Sequence, residues 1–285
     1  MIDSICYIDG KFISINEAKI PVTDLIITRG YGVFDTLRTY GGKPFRAEDH
    51  LRRLERSAFL IGLTLPRTRT EISQVIHEIL SSNNYPEASI RIIVTGGESD
   101  DFFTPSDKPS LIVMATPLHT YQDDYYIKGA KVATAEIERY LPEAKTIDYT
   151  QGEVAMRLAK DHDTEIVEIL CVDRNKKVTE GIASNVFAIF GNTLVTPGEN
   201  ILLGITRQVV LELAESLFKV EIRNLSMSEF LEANEIFITG STKEIMPITA
   251  VDSAVVCGGC CGPNTKKLMD VFQDMTQRFA LKEEG

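Results

Sequence analysis

The stretch Tyr140-Leu-Pro-Glu-Ala-Lys-Thr-Ile-Asp-Tyr149 decides how this chain is read. A proline turn leads into Lys145, and Thr146 and Asp148 offer caps for a helix running to about His162. A lysine about one turn ahead of a helix start lies near the helix's positive pole. There the protonated amine is disfavoured and the neutral, nucleophilic amine is favoured. A neutral lysine is the group that forms a Schiff base with a carbonyl. By composition alone Lys145 is one more basic residue on a wet surface, so its meaning depends on what surrounds it.

Outward from that stretch, the chain has 285 residues, 44% hydrophobic and 25% charged, room for one large domain or two of moderate size. Thirty Lys and Arg against 41 Asp and Glu leave a net charge of −11. So acidic a chain is a poor partner for nucleic acid or an anionic membrane. No apolar run approaches the roughly 20 residues of a membrane span, and Met1-Ile-Asp-Ser does not read as a leader, so the cytoplasm is the expected location. Five cysteines are too few and too unevenly placed for a disulfide framework. Three crowd into Cys257-Gly-Gly-Cys260-Cys261, with no histidine nearby in sequence. A structural zinc site wants four ligands, so a glycine-rich turn with reduced thiols is expected there and no metal.

Elements alternate from the start. Ile5 to Ile8 and Lys11 onward form a hairpin about Asp9-Gly10, and Val33 to Tyr40 is a strand turning at Gly41-Gly42. Leu51, Leu54 and Ala58 lie on one face of a helix that follows Ala47, and a second helix covers about Thr70 to Ser81. Strands follow at Ser89 to Thr95 and Pro109 to Ala115. The expected small α+β domain is 1–117, with a linker at 118–125 and a larger domain at 126–285. In the second part, strands are expected at Lys131 to Glu136, Glu165 to Val172, Val178 to Glu180, Asn185 to Phe190, Thr193 to Thr196 and Glu235 to Thr239. A helix opens at Gly204-Ile205-Thr206, a short one is capped by Ser226 or Ser228, and a last one runs from about Asn264 to Leu281.

Two features suit a phosphate. Gly204-Ile205-Thr206 opens a helix, where backbone N–H groups and the dipole favour a dianion. Gly240-Ser241-Thr242 ends a strand with two adjacent hydroxyls beside a glycine that permits close approach. Either alone is an ordinary glycine-threonine pattern.

Taken in order, the pieces resemble the class IV (fold-type IV) pyridoxal-phosphate aminotransferases, among them branched-chain and D-amino-acid aminotransferases and aminodeoxychorismate lyases. The resemblance is carried by Arg29-Gly-Tyr-Gly-Val-Phe-Asp35, His50-Leu-Arg-Arg53-Leu, Lys145-Thr-Ile-Asp-Tyr149, Thr179-Glu180-Gly-Ile-Ala-Ser-Asn185-Val-Phe, Leu203-Gly-Ile-Thr206-Arg207 and Phe237-Ile-Thr-Gly-Ser241-Thr242. It implies a two-domain α+β and α/β fold and pyridoxal 5'-phosphate as cofactor. Lys145 resembles the lysine that joins the cofactor and shuttles a proton. Glu180 resembles the carboxylate that keeps the pyridine nitrogen protonated. Arg53, Ile205, Thr206, Ser241 and Thr242 match phosphate ligands, and Tyr149 the phenol at the ring oxygen; Arg52 and Arg56 have no matching role and read as solvated. The resemblance also implies a homodimer, with Arg29 reaching across.

Branched-chain enzymes usually carry a tyrosine where this chain has Arg29. A guanidinium there gives a fixed, bidentate binder for a substrate carboxylate; the alternative is an ion pair with Asp24 or Asp35. Arg91 matches an arginine that branched-chain enzymes share. Together, Arg29 and Arg91 resemble an unconventional group of D-amino-acid transaminases, and Tyr31 is expected in the same pocket. The more familiar D-amino-acid pattern, Arg-x-His, is absent because Ile93 stands at the histidine position. The expected activity is amino transfer between an amino acid, D-amino acids favoured, and a 2-oxo acid such as 2-oxoglutarate. Branched-chain L-amino acids are the alternative, then pyruvate expulsion by a lyase, and last a metal-binding protein organised on the cysteine cluster.

Overall fold

The computed structural model describes residues 4–282. Within them, contacts divide the chain into two units. The first takes the chain up to His119, returns for Ala144–Asp148 and again from Phe279; the second takes Thr120–Glu143 and Tyr149–Arg278. The expected linear division at 118–125 therefore differs from the structure at two places. The five residues around Lys145 pack with the first unit, as does the end of the last helix.

The first unit holds β1 (Ile5–Ile8), β2 (Lys11–Ser14), α1 (Leu25–Arg29), β3 (Gly32–Tyr40), β4 (Lys43–Pro44), α2 (Ala47–Leu60), α3 (Arg69–Asn83), β5 (Ala88–Thr95) and β6 (Leu111–Pro117). Its strands form one antiparallel sheet in the order β2-β1-β6-β5-β3-β4. Gly41 and Gly42 make the two-residue turn between β3 and β4, with φ of 61° and 75°, the left-handed pair such a hairpin requires. Alternation along β3 sends Val33 and Leu37 to one face. There they meet Ile90, Ile92 and Val94 of β5 and Leu51, Leu54 and Ala58 of α2 in one core. Thr68 and Glu71 close a reciprocal cap at the start of α3.

The second unit holds α4 (Asp124–Ile127), β7 (Ala130–Glu136), α5 (Thr150–His162), β8 (Ile166–Val172), β9 (Lys177–Gly181), β10 (Asn185–Phe190), β11 (Thr193–Thr196), α6 (Ile205–Ala214), β12 (Lys219–Ile222), β13 (Leu225–Ser226), α7 (Met227–Leu231), β14 (Glu235–Gly240), β15 (Glu244–Val251) and β16 (Ala254–Val255). The last helix, α8 (Pro263–Leu281), begins in this unit. The sheet runs β12-β11-β10-β14-β15-β7-β8-β9-β13, with β16 paired to β15. Parallel pairing of β7 with β8 and β15 places β8 inside the sheet, which fits its mostly apolar, buried sequence broken only by Glu168.

Two local differences have physical causes, and one open choice is resolved. The helix after Lys145 starts at Thr150 with Tyr149 at the cap position, and the Tyr149 side chain makes no cap bond. Thr146 lies four residues ahead of that start, in a backbone bridge with Val33. Strand β15 has no counterpart in the sequence reading, since Pro247 lacks a ladder N–H and reads as a breaker. Ser226, rather than Ser228, caps α7, accepting from Glu229 N at 3.2 Å. Among the described residues, no helix is long and apolar enough to cross a membrane.

Leu54 is fully buried at the centre of the first unit's core. Leu54→Ala is expected to cost about 2–5 kcal/mol, read as a lower denaturant midpoint for that unit. An unchanged midpoint would show that the core there is loosely packed.

Candidate active site

Lys145 sits on a short extended segment at the free flank of β3. Phe34 N donates to Lys145 O at 3.0 Å, and Ile147 N donates to Gly32 O at 3.0 Å, with Thr146 bridged to Val33 between them. Lys145 N donates to Ser57 Oγ of α2 at 3.1 Å, so a helix and a strand both fix its backbone. The Nζ atom lies 4.5 Å from the centre of the Phe34 ring. The backbone at Lys145 is therefore extended, and its surroundings in this unit come from the sheet edge, not from a helix turn.

On the opposite face of β3, Asp35 is fully buried. Its Oδ1 accepts from His50 Nδ1 at 2.7 Å and from Arg53 Nη2 at 2.8 Å, and its Oδ2 from Arg53 Nε at 2.9 Å. Burial alone would raise the Asp35 carboxyl, but the charges and hydrogen bonds of Arg53 and His50 hold it well below the usual carboxylate range. His50 is pushed down, first by its own burial and then by the cations Arg53 and Lys145, against the pull of Asp35. It is a neutral ring whose Nδ1 proton points at Asp35. Arg53 is thus clamped in one plane by a two-pronged contact, the geometry that lets a guanidinium be aimed. Arg52, by contrast, stands in solvent beside Glu48.

Three further residues were expected at the substrate end. Arg29 ends α1, is exposed, and donates to Thr28 O at 3.4 Å. Neither expected carboxylate holds it: Asp24 caps α1 and accepts from Thr95 Oγ1, while Asp35 is taken by Arg53 and His50. Tyr31 donates its phenol proton to Ile61 O at the end of α2. Arg91 stands on β5 opposite Thr36, with its guanidinium 5.3 Å from the Phe34 ring. Lys145 and Arg91 therefore approach the same ring. Thr36 Oγ1, on that face, is buried and has no hydrogen-bond partner among the described residues.

In the second unit Glu180 is 4% exposed on β9. Its Oε1 accepts from Arg139 Nη1 at 2.9 Å and its Oε2 from Leu202 N at 2.8 Å. A cavity of about 170 Å³ is lined by Arg139, Cys171, Thr179 and Glu180 among others. Burial, then the charges of Glu180 and Glu168, push the Cys171 thiol up to about 12, so it stays protonated. Tyr149 is half-buried at the start of α5.

The residues expected at a phosphate fit such a group. Gly204 caps α6 without a side-chain acceptor, leaving the first-turn amides of Ile205 and Thr206 no cap from the helix itself. A Cβ at Gly204 would lie 2.0 Å from Asn185 Oδ1, so a glycine is needed where that amide presses on the helix start. Ser241 and Thr242 occupy the three-residue loop between β14 and β15, whose ladder closes at Gly240 and Glu244. Within the second unit, uncapped amides and two hydroxyls are donors of the kind that suit a dianion. A buried carboxylate anchored at both oxygens suits a ring nitrogen that carries a proton.

The cysteine loop is a 3-10 turn over Cys257–Gly259, with Cys257 at φ +57°. Cys257 Sγ accepts from Ile236 N at 3.1 Å, and all five cysteines are free. No group of three or more His, Cys, Asp or Glu able to hold a metal occurs among the described residues.

Comparisons with known proteins identify the family. Residues 32–251 match the family model for amino-transferase class IV. The chain is 32% identical to a putative branched-chain-amino-acid aminotransferase of Methanocaldococcus jannaschii, over 97% of this chain and 98% of that one. It is 33% identical to a D-alanine aminotransferase of Staphylococcus haemolyticus, over 93% of this chain and 95% of that one. The crystal structure of the Escherichia coli branched-chain amino acid aminotransferase superposes with a TM-score of 0.90 at 26% identity, covering 99% of this chain and 98% of that one. The chain belongs to the class IV aminotransferases, which are pyridoxal-phosphate-dependent enzymes.

Asp35, His50, Ser57, Phe34 and Arg139 carry contacts that the sequence reading did not assign. Asp35, His50 and Phe34 lie inside the quoted motifs; Arg139 and Ser57 had no signal. Asp35 titrates lower in the folded chain than its unfolded value of about 3.9, so its contribution is present above about pH 4 and lost as pH falls below it. Asp35→Asn is expected to lose about 3–5 kcal/mol at neutral pH, leaving Arg53 buried without its partner. It should also lose stability less steeply than the parent on acidification below about pH 4. Denaturation midpoints compared between pH 7 and pH 3 check both, and an acid dependence as steep as the parent's contradicts the assignment.

Proposed function

We propose that this transaminase exchanges amino groups between D-amino acids and 2-oxo acids such as 2-oxoglutarate, as a homodimer in the cytoplasm. The observation that carries the preference is Arg29. It is exposed and held by neither Asp24 nor Asp35, which makes it a guanidinium available for a substrate carboxylate. Arg91, beside Phe34, supplies the second cation, and Tyr31, between α1 and β3 and bonded to Ile61 O, lines the same pocket. The homodimer and Arg29's reach across it rest on resemblance to the family.

Bound pyridoxal phosphate supplies an aldehyde that condenses with amines and a ring that accepts electrons from the substrate carbon. The chain's own residues then divide the work. Lys145 presents Nζ as the attachment point and afterwards carries the proton at that atom. Glu180, fixed by Arg139 and by Leu202 N, presents a carboxylate that holds a proton on the ring nitrogen. Arg53, the amides of Ile205 and Thr206, and the hydroxyls of Thr206, Ser241 and Thr242 bind the phosphate. Tyr149 donates to the ring oxygen. A branched-chain L-amino-acid preference is the second reading, supported by the Methanocaldococcus jannaschii relative and by Arg91, which that class shares.

A half-reaction screen, following cofactor absorbance as each amino acid is added, separates the two. D-Alanine and D-glutamate are expected to react faster than L-leucine; brisk turnover of L-leucine with both D-amino acids inert overturns the preference. Lys145→Ala should slow amino transfer by about 10²–10⁴-fold or more, and an undiminished rate would end this account of the site. Arg29→Ala should raise KM for a dicarboxylic substrate about 10-fold or more, the loss of a charged hydrogen bond worth about 1.5–3 kcal/mol.

A further inference from the structure

A second buried cation in the larger unit has no part in that reaction. Lys243, in the loop after Ser241 and Thr242, is 6% exposed. Its Nζ lies 3.3 Å from Glu168 Oε2, on a residue 1% exposed in β8. The same Oε2 accepts from Ser184 Oγ at 2.9 Å, and Glu168 Oε1 accepts from Ile169 N at 3.0 Å. Tyr126 donates its phenol proton to Lys243 O at 3.1 Å, and Lys243 Nζ lies 5.5 Å from the centre of the Tyr121 ring. Burial pushes the Lys243 amine down, but Glu168 and Tyr121 outweigh it and keep the amine charged.

Ser184 ends the tight turn that begins at Gly181, the residue after Glu180. Gly181 N donates to Ser184 O at 2.8 Å, and a Cβ at Gly181 would lie 2.2 Å from Ser184 Oγ. This turn abuts the next loop: a Cβ at Gly240 would come within 3.2 Å of Ala183 O. Glu168 therefore touches the turn beside Glu180 through Ser184 and the loop of Ser241 and Thr242 through Lys243. Taking two charges out of water costs several kcal/mol per ion, so even a well-partnered buried pair is weak evidence of net stabilisation. Apolar residues of similar volume would fill the space at less cost. The pair is poor as a stabiliser and well placed as a spacer.

We propose that Lys243 is a positioning residue: its contact with Glu168 fixes the loop of Ser241 and Thr242 against the turn that carries Glu180, and so fits that loop to a phosphate. The inference rests on the assignment of Ser241 and Thr242 to the phosphate. Moving that loop weakens binding of a phosphorylated ligand and spares its phosphate-free counterpart.

The experiment titrates apo protein with pyridoxal phosphate and, separately, with pyridoxal, for the parent, Lys243→Met and the Ser241→Ala/Thr242→Ala pair, with thermal midpoints in parallel. Lys243→Met is expected to weaken pyridoxal phosphate binding 10-fold or more while pyridoxal binding changes less than twofold. A thermal shift with no change in the ratio of the two affinities overturns the proposal, because a merely structural contact would behave so. Phosphate-selective loss in the hydroxyl variant alone sinks the role of Lys243 and leaves the phosphate assignment standing; no selective loss in either variant sinks both. If Lys243→Met does not fold, Lys243→Met/Glu168→Met removes both charges together and is read by the same ratio.

Discussion

Two backbone hydrogen bonds, from Phe34 N to Lys145 O and from Ile147 N to Gly32 O, are the constraint on which the reactive part of the first unit depends. They draw a segment distant in sequence onto the flank of β3 and hold it extended. Without them Lys145 would be a loop residue with a four-carbon stem and several rotamers. With them, its position is set by the same strand that carries Phe34 on one face and Asp35 on the other. A ladder is a rigid support, since neighbouring strands hold β3 in register over seven residues of β5. Catalytic side chains mounted on such a frame lose less precision than those on a free loop.

The same strand shows how the chain handles charge. Asp35 is buried with Arg53 and His50, and Glu180 with Arg139 and a backbone amide; in both, a carboxylate's oxygens each have a donor. An unpaired carboxylate at either place would be costly; at Asp35 the partners hold the carboxyl well below the usual range, and at Glu180 they fix both oxygens. In the first case the fixed object is the guanidinium of Arg53, held so that it can be aimed at an anion. In the second it is the carboxylate itself. Each gives a preset charge that needs no rearrangement when a ligand arrives.

Much of this was legible in the sequence, for local reasons. Two-residue turns at Gly41-Gly42 and at Gly191-Asn192 between β10 and β11, the helical spacing of Leu51, Leu54 and Ala58, and the largely apolar strand β8 follow directly from period and turn chemistry. Strand β15 did not, because Pro247 argues against a strand and only its neighbours β7 and β14 make it one. The return of 144–148 to the first unit was equally hidden. A linear reading sees Thr146 and Asp148 as helix caps, whereas a long-range bridge to Val33 claims the backbone first. Partners such as Arg139 for Glu180 and Ser57 for Lys145 lie 41 and 88 residues away, and no local pattern announces such pairs.

The face of β3 that carries Phe34 bears on substrate choice. Ring face, guanidinium and amine meet there: Arg91 and Lys145 both stand within cation–π range of Phe34. Thr36 adds a buried hydroxyl opposite Arg91. A surface built for an aliphatic side chain would bury apolar groups and leave no hydroxyl without a partner, since each such group costs about 1–3 kcal/mol. A polar substrate group that accepts a hydrogen bond removes that cost; a branched aliphatic chain does not. On this face of the sheet one cation, Arg91, and one donor, the Thr36 hydroxyl, suit a charged or polar group such as the carboxylate that every amino acid carries.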